Sequence, residues 1–584
     1  MDESNEKLMS YETPQKSGLA KQIENEIQTY LTGTVTISED NEYSQPKLVR
    51  RISLFENHIY PSGKFDSQGN YKFWFDIQTP RANAEVKNID FDTKDILVYS
   101  PRRIDELPNI VVNLKLKEYL RETGQAGEIN SAIEEGSAWG NIVWKKVRGT
   151  YERADLRNFY VINQTAETLN ESPAIERHQM SQTDLRRMDG KWYFIKEVIK
   201  ECKTDSYSST IETQSQETTM PYYEIYERNG EVCLYDLKEY RNENPEEADK
   251  EKYVLAKVIA SGIKSEGGSL QIKYILFANK ITKMPYKEYH RGRYKGRWWR
   301  EGIIELLFDL QVRANQIGNQ LAQGLEWSSK TIFASADKLI YQNILSDLKN
   351  GDIIKSQSLQ QVQVRMEGFD QLVNDWNRVL QLANDICNSH EVVQSITPAS
   401  GTPLGTTQLL NSNANKLFDF LREKLAIPLS EIFEEWIVPE LVNDLKAEEI
   451  LRLTGDSRML ERLNQLIVDD WYLKNLPILG RHTNEVKEAL KEAKMEELRE
   501  RPQILMERLK DLFEDFKPSV SVVITGENST LPERLETYRS FIELEQDPIR
   551  RGAMIEDAMR MKGIDVGALP KTPPIQVPTA PTKI

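Results

Sequence analysis

The sequence predicts an α+β fold that is predominantly helical. Short β-type runs are concentrated in the first half of the 584-residue chain, for example at 222–226 and 273–277. Three long stretches of the second half, 303–325, 369–386 and 410–436, carry apolar residues three or four positions apart, which is the spacing of one helical face. A chain of this length exceeds a single hydrophobic core, so we expect roughly two to four structural units.

The composition is that of a soluble, folded protein, with 29 % charged and 39 % apolar residues. No run of about 18 apolar residues occurs, so we expect no membrane-spanning helix and no membrane partner. Cys202, Cys233 and Cys387 are far apart and form no paired motif, which favours a reducing compartment. The formal net charge of -15 argues against a protein held on nucleic acid by bulk attraction.

The first half of the chain mixes short helical and β-type runs. Residues 1–30 are polar and acidic, which predicts a flexible N-terminal arm. An Asn-Gly pair is a strong hairpin signal, so we expect a turn at Asn229-Gly230 between two β-type runs. The Ser- and Thr-rich stretch 203–220 and the charged stretch 241–252 predict surface loops.

A basic and aromatic segment, 283–300, leads into the first long helical stretch. It contains seven Lys or Arg and one Glu, in an otherwise acidic protein. The segment could contact phosphates, with its aromatic rings stacking on bases. Alternatively, it could form ion pairs with the acidic surface of a neighbouring subunit. The candidate contact residues are Arg291, Arg293, Lys295, Arg297 and Arg300.

The first long helical stretch carries a second, polar stripe. Gln311, Asn315, Asn319 and Gln323 are four residues apart, which places four amides on one helical face. We call this stripe the amide ladder. Such a ladder suits hydrogen bonding between helices packed side by side, where it can set their register. The alternative is a solvent-facing polar stripe, although such stripes usually carry Lys and Glu.

An uncharged loop, 395–405, connects the second and third helical stretches. It is rich in Pro, Gly and hydroxyl residues, and a loop without Lys or Arg can touch a polyanion without holding it. A plain connection between helices is the alternative. The candidate contact residues of this loop are Thr397, Pro398, Ser400, Gly401, Thr402 and Pro403.

The sequence contains no enzyme signature. The phosphate-binding, dinucleotide-binding, zinc-protease and nucleophile-elbow motifs are all missing. The five histidines are scattered singly and give no metal-ligand spacing. We therefore expect no catalytic residue, no cofactor and no metal, and a protein that is not an enzyme.

The order of these segments resembles the portal protein of tailed double-stranded DNA bacteriophages. The order begins with a strand-rich half, the basic segment and a long helix. It continues with a short β-containing segment, a second long helix, the uncharged loop and a third long helix. The resemblance covers roughly 90–480. Among portal proteins, the chain looks most like those of short-tailed phages, including the crAss-like group. Its local features are Pro285-Tyr286, the turn with Gly296, Glu301 and Gly302, the helical Gln311 and Asn315, and the helix start Gly405-Thr406-Thr407.

The resemblance implies a portal-type subunit with an α/β wing, a two-helix stem, a small α/β clip and a helical, crown-like C-terminal region. Stem contacts between subunits would use the amide ladder and Trp376, and the clip would present Lys338, Lys349 and Lys355. The implied parts are an arm (1–30), an N-terminal wing (31–300), stem helix 1 (301–328), the clip (329–368), stem helix 2 (369–394), a DNA-facing tunnel loop (395–405), C-terminal wing helices (406–479), the crown-like region (480–570) and a disordered Pro-rich tail (571–584).

The implied function is that of a ring of about twelve subunits at one capsid vertex of the virion, assembled in the cytoplasm of the bacterial host. The ring would be the channel for genome packaging and ejection. Its partners would be double-stranded DNA in transient, non-specific contact, the major capsid protein, the terminase large subunit and a tail adaptor. The alternatives are another oligomeric virion, head-tail connector or scaffold protein, or a DNA-packaging enzyme. The stretches 203–220 and 241–252 have no counterpart in the family.

Overall fold

The computed structural model describes most of residues 18–444, the helix at 484–500 and a few positions between 465 and 539. The statements that follow concern these residues. Residues 1–17 of the predicted N-terminal arm, the Pro-rich tail, most of the crown-like region, and the predicted contact residues of the tunnel loop and clip lie outside them. Residues 18–30 belong to a helix, Gly18–Thr32, whose Leu19, Ile23 and Ile27 are buried in a core, so the prediction of a flexible arm is wrong for these positions. The gaps before 444 are 39–40, 67–68, 90, 92–95, 101–105, 148–149, 204–221, 242, 265–269, 330–331, 335–359, 363–367 and 390–403.

The fold mixes helices with antiparallel sheets, which confirms the α+β prediction at that level. Helices of the first half are short and alternate with strands. They are α1 (Gly18–Thr32), α2 (Gln45–Glu56), α3 (Thr79–Ile89), α4 (Glu106–Thr123), α5 (Gln125–Trp139), α6 (Gln182–Arg187), α7 (Ile195–Glu201) and α8 (Leu234–Tyr240), with 3-10 turns at Leu169–Glu171 and Glu247–Glu251.

Longer helices dominate the second half, at the three stretches where the apolar spacing predicts them. A π-helical turn, Phe433–Ile437, follows the longest of them, which continues through Pro428. The helices are α9 (Ile303–Leu306), α10 (Phe308–Ser329), α11 (Phe369–Cys387), α12 (Leu404–Ile432), α13 (Val438–Asp444) and α14 (Asn484–Glu500).

Fourteen described strands form five antiparallel sheets. The five-stranded sheet has the order β10-β9-β8-β7-β6, and the three-stranded sheet has the order β11-β4-β5. The pairs are β1-β2, β12-β13 and β14-β3. The strands are β1 (Val35–Ser38), β2 (Asn41–Tyr43), β3 (Ile96–Tyr99), β4 (Asn141–Val147), β5 (Thr150–Arg153), β6 (Phe159–Val161), β7 (Ala174–Ser181), β8 (Tyr222–Cys233), β9 (Tyr253–Lys264), β10 (Leu270–Lys280), β11 (Tyr286–His290), β12 (Ile332–Ala334), β13 (Gln360–Val362) and β14 (Ser519–Val522).

The turn predicted at Asn229-Gly230 is wrong, because both residues lie inside the continuous strand β8. Asn229 pairs with Ala174 of β7 on one side and with Lys257 of β9 on the other. Its side-chain amide is buried and donates to the Tyr286 hydroxyl at 2.8 Å. Pairing on both edges therefore overrides the local turn preference of this dipeptide.

Separate cores hold the body and the long helices together. The five-stranded sheet packs against α1 on one face and against α6 and α7 on the other. The three-stranded sheet contributes to a core with α4, α5 and α12. A further core joins α9, α10 and α11 to residue Ile77. The strands β12 and β13 lie between α10 and α11 in the chain, so α11 returns along α10 from this small β pair.

Candidate functional site

The junction between the sheets and the long helices contains most of the described residues that the sequence singles out. In the basic segment, Arg291 forms a two-pronged ion pair with Glu85 of α3, with Nε and Nη2 each 2.8 Å from a carboxylate oxygen. Both side chains are buried. Burial alone would lower the pKa of Arg291, but the Glu85 carboxylate more than offsets it, so the arginine stays charged.

Most of the other predicted basic residues also have partners within the chain. Lys295 Nζ lies 2.6 Å from Glu301, and Arg297 Nη2 lies 2.6 Å from Glu305. Arg300 is buried and donates to two backbone carbonyls, while Arg293 is exposed. The segment is thus mainly an internal set of ion pairs, which leaves little positive charge for a nucleic acid or a neighbouring subunit.

Two lysines at the start of the segment tie it to the end of α12 and to the π-helical turn that follows. Lys283 Nζ is 3.3 Å from Glu435, and Lys287 Nζ is 2.5 Å from Glu431 and 3.4 Å from Glu435. These pairs border a cleft of about 830 Å³ between the sheets and α12. They connect the body of the protein to the longest helix.

The aromatic residues of the segment belong largely to the core and are not a stacking surface. Trp298 and Trp299 are fully buried, and the indole N–H of Trp298 donates to Glu288 at 2.7 Å. Tyr286 and Tyr289 are also buried. Base stacking by these four rings is therefore excluded in this conformation.

Two glycines allow the backbone to cross where α5 ends and α9 begins. Gly140 ends α5 with a φ of 87°, and a Cβ on Gly302 would lie 2.4 Å from the Gly140 nitrogen. Asn141 closes the crossing by accepting from the Arg300 N–H at 3.0 Å. The start of the long helices is thereby fixed to the three-stranded sheet.

The amide ladder of α10 hydrogen-bonds to the backbone of the non-helical segment 73–77 of the same chain, which we call the strap. Successive ladder residues are four apart, whereas the strap residues that they hold are two apart and run in the opposite direction. The backbone N–H donors and their acceptors are Phe73 to Asn319 Oδ1 at 2.8 Å, Phe75 to Asn315 Oδ1 at 2.9 Å and Ile77 to Gln311 Oε1 at 3.0 Å.

The ladder returns hydrogen bonds to the strap carbonyls. Asn319 Nδ2 donates to the Phe73 carbonyl at 2.9 Å, and Gln311 Nε2 donates to the Phe75 carbonyl at 2.7 Å. Four residues of helix rise about 6 Å, and two residues of extended chain span about 6.6 Å. The two repeats therefore match closely enough for the helix to bind the strap as a neighbouring strand would.

The ladder binds neither of the two partners that the sequence left open, a neighbouring helix or solvent, but the strap of the same chain. Gln311 is 0 % exposed and Asn315 is 5 % exposed, so neither belongs to a solvent-facing stripe. Gln323 continues the ladder by donating to the Asp66 carboxylate at 3.1 Å. Because the hydrogen bonds of Gln311 and Asn315 are made within the chain, we do not assign a subunit contact to these two amides.

Close packing supports the strap against α10 and α11. A Cβ on Gly318 would lie 2.4 Å from the Phe75 ring, so glycine is required for the ring to approach the helix. On the other side, Phe75 meets the predicted stem residue Trp376 edge to face at 5.6 Å between ring centroids. Sequence inspection missed the strap, although its alternating aromatic residues and the ladder's four-residue repeat were both visible.

One buried cluster has the donor atoms of a metal site. Glu176, His178 and Glu227 each place a donor atom within 4.8 Å of the others. Lys145 Nζ already lies 2.8 Å from Glu176 and 2.7 Å from Glu227, and Lys257 Nζ lies 2.8 Å from Glu227. The two ammonium groups neutralise the carboxylates, so the cluster serves as a polar connection between the two larger sheets.

Comparison with known protein families finds no match for this chain, and comparison with curated proteins finds none either. Among the described helices, none has the length and apolar character needed to cross a bilayer. The candidate loop contacts Thr397, Pro398, Ser400, Gly401, Thr402 and Pro403, and the clip residues Lys338, Lys349 and Lys355, lie outside the described residues.

Proposed function

We propose that this chain is a non-enzymatic subunit of a portal-type ring that conducts double-stranded DNA through one capsid vertex. The observation that carries the proposal is the arrangement of the second half. Two long helices, α10 and α11, pack together and are joined in the chain by the segment with the β12-β13 pair, and a third long helix, α12, packs on the mixed body. This is the order expected of a stem, a clip and a returning wing helix.

The charge of the chain supports a conduit and not a DNA-binding surface. The chain has a net charge of -15, and the basic segment is mainly neutralised by its own acidic neighbours. A channel wall of this character repels the phosphate backbone, so the DNA can keep moving. We assign the transient contact with DNA to the uncharged loop at 395–405.

Exposed apolar residues on the stem helices provide a surface for neighbouring subunits. Leu325 of α10 is 54 % exposed, and Leu382 and Ile386 of α11 are 41 % and 46 % exposed. Leu382 and Ile386 are four residues apart and therefore share one helical face. In a closed ring this face would be buried against the next copy. The apolar face of α11 then forms the subunit contact that the sequence assigned to the amide ladder.

Negative-stain imaging of the purified protein tests the proposal. We expect closed rings with a central hole, and in the virion we expect contacts with the capsid protein, the terminase and a tail adaptor. A stable monomer that hydrolyses ATP or cleaves DNA would overturn the proposal in favour of a packaging enzyme. Filaments or open sheets would instead favour a scaffold protein.

A further inference from the structure

A groove of about 580 Å³ runs along the amide ladder, and Asn315, Asn319 and Gln323 of the ladder form part of its wall. It belongs neither to the ion-paired junction nor to the exposed face of α11. Its lining also includes the aromatic residues Phe55, Tyr60 and Trp74 and, from α10, Val312, Gln316 and Gln320.

The groove combines packed aromatic rings with primary amides. The Trp74 ring lies 5.5 Å from Phe55 and 5.1 Å from Tyr60, both edge to face. Val312, Gln316 and Gln320 are exposed and follow one another at four-residue steps along α10. Aromatic surfaces beside hydrogen-bond donors are the chemistry by which proteins recognise proline-rich segments in the polyproline II conformation.

The spacing of the two glutamines fits such a segment. Residues four apart on a helix are separated by about 6 Å along its axis, and alternate residues of a polyproline II segment are about 6.2 Å apart. A proline has no N–H group, so at each proline the backbone offers only a carbonyl acceptor, which the side-chain NH₂ group of Gln316 or Gln320 can meet. The adjacent ladder already holds the strap by the same four-to-two match.

We propose that the occupant of this groove is the proline-rich segment 570–581 of this same protein, from its own chain or from a second copy. The segment contains two P-x-x-P repeats, at 570–573 and 578–581, and 572–582 carries no charge. The cations that border the groove are engaged elsewhere: Arg51 lies over the Phe308 ring at 4.1 Å, and Lys72 Nζ donates to the Ser62 hydroxyl at 2.9 Å. The Asp66 carboxylate of the lining accepts from Gln323, so the groove offers the uncharged stretch 572–581 no unmatched charge to desolvate.

The chain has the length to reach the groove. About 30 residues separate the last described position, 539, from the first proline of the segment; they span about 45 Å as a continuous helix and about 100 Å if fully extended. The inference does not depend on the ring, because a monomer has the same groove and the same segment.

Peptide binding to the full-length chain tests the proposal. In one variant, Pro573→Ala, Pro574→Ala, Pro578→Ala and Pro581→Ala together free the groove without shortening the protein. We expect a fluorescent peptide of sequence 569–584 to bind this variant, as measured by anisotropy, and to bind wild type more weakly because the native segment competes. Adding Gln316→Ala and Gln320→Ala should weaken binding about tenfold, whereas the exposed amide change Gln381→Ala on α11 should not.

The possible results separate the alternatives. Circular dichroism and melting curves establish that each variant is folded before binding is compared. Absence of peptide binding to the variant with four prolines replaced overturns the proposal, as does binding that the two glutamine changes leave intact. If the glutamine changes instead alter self-association while no peptide binds, the groove takes another surface of a second copy and the proposed occupant is wrong.

Discussion

Arg291 and Arg293 are two residues apart in the same basic segment, yet the structure gives them opposite roles. Arg291 is buried against Glu85, with side-chain exposures of 9 % and 2 %, whereas Arg293 is exposed. Sequence alone treats them alike, because both are arginines in a run of alternating basic residues. The difference arises from α3, which lies some 200 positions earlier and supplies the carboxylate.

The two arginines form a matched pair for mutation. Arg291→Met leaves the Glu85 carboxylate buried without its cation, and we expect a loss of about 3–5 kcal/mol in stability. Arg293→Met should change stability by less than about 0.5 kcal/mol. Melting temperatures of the two variants, compared with wild type, measure the difference. Equal melting temperatures would mean that the buried ion pair contributes nothing to the junction.

Glu135 is the residue from which we expect a pH dependence of stability. Burial raises the pKa of its carboxyl from 4.5 to about 7, although Arg153, with Nε 3.0 Å from a carboxylate oxygen, acts in the opposite direction. Between pH 4.5 and about pH 7, Glu135 keeps its proton in the folded chain but has lost it in the unfolded chain. The stability that this proton confers is therefore complete below pH 4.5 and is lost as the pH rises through 7.

Glu135→Gln should remove that pH dependence, because the amide does not ionise. Between pH 5 and pH 8 we expect wild type to lose about 2 kcal/mol more stability than the variant does. Thermal melting across this range measures the loss, and the exposed neighbour change Glu134→Gln serves as control. A variant whose melting temperature falls as steeply as that of wild type would exclude Glu135 as the titrating group.

Helix α10 shows what an element-level pattern can and cannot predict. The apolar spacing of 303–325 predicts the helix, and the four-residue repeat of amides predicts a face with a common partner. The pattern could not identify that partner, because Gln311 and Ile77 are 234 positions apart in the chain. Hydrogen bonding to a parallel helix and to an extended strap require the same side chains at the same spacing.

Asn315→Leu tests the strap as an element. The change removes the acceptor of the Phe75 N–H in a buried position, and we expect a destabilisation of about 1–3 kcal/mol. Hydrogen exchange at residues 73–77 should accelerate, because the backbone loses its partner. Gln381→Leu, at an exposed position of α11, provides the control. If exchange in the strap is unchanged, the ladder does not hold it in solution.

At the scale of the whole molecule, the exposed apolar residues of the packed helices α10 and α11 bear on assembly. Leu382→Glu together with Ile386→Glu places two charges on the apolar face of α11. We expect these changes to abolish rings in negative stain and to leave the melting temperature nearly unaltered, since both side chains are exposed. Gln381→Glu adds a charge beside that face without removing an apolar side chain and should leave rings intact. Rings that persist in the double variant would place the subunit contact elsewhere.

The sequence by itself determined the mixed α+β class, the long helices of the second half and the presence of the amide ladder, because periodicity and composition are local properties that folding preserves. The tertiary structure decided what each polar group contacts. The strap binds the ladder, and Asn229-Gly230 lies inside a strand. The basic segment forms ion pairs with Glu85, Glu301, Glu305, Glu431 and Glu435. These outcomes depend on segments far apart in the chain, and a periodic pattern defines a face without defining what the face will meet.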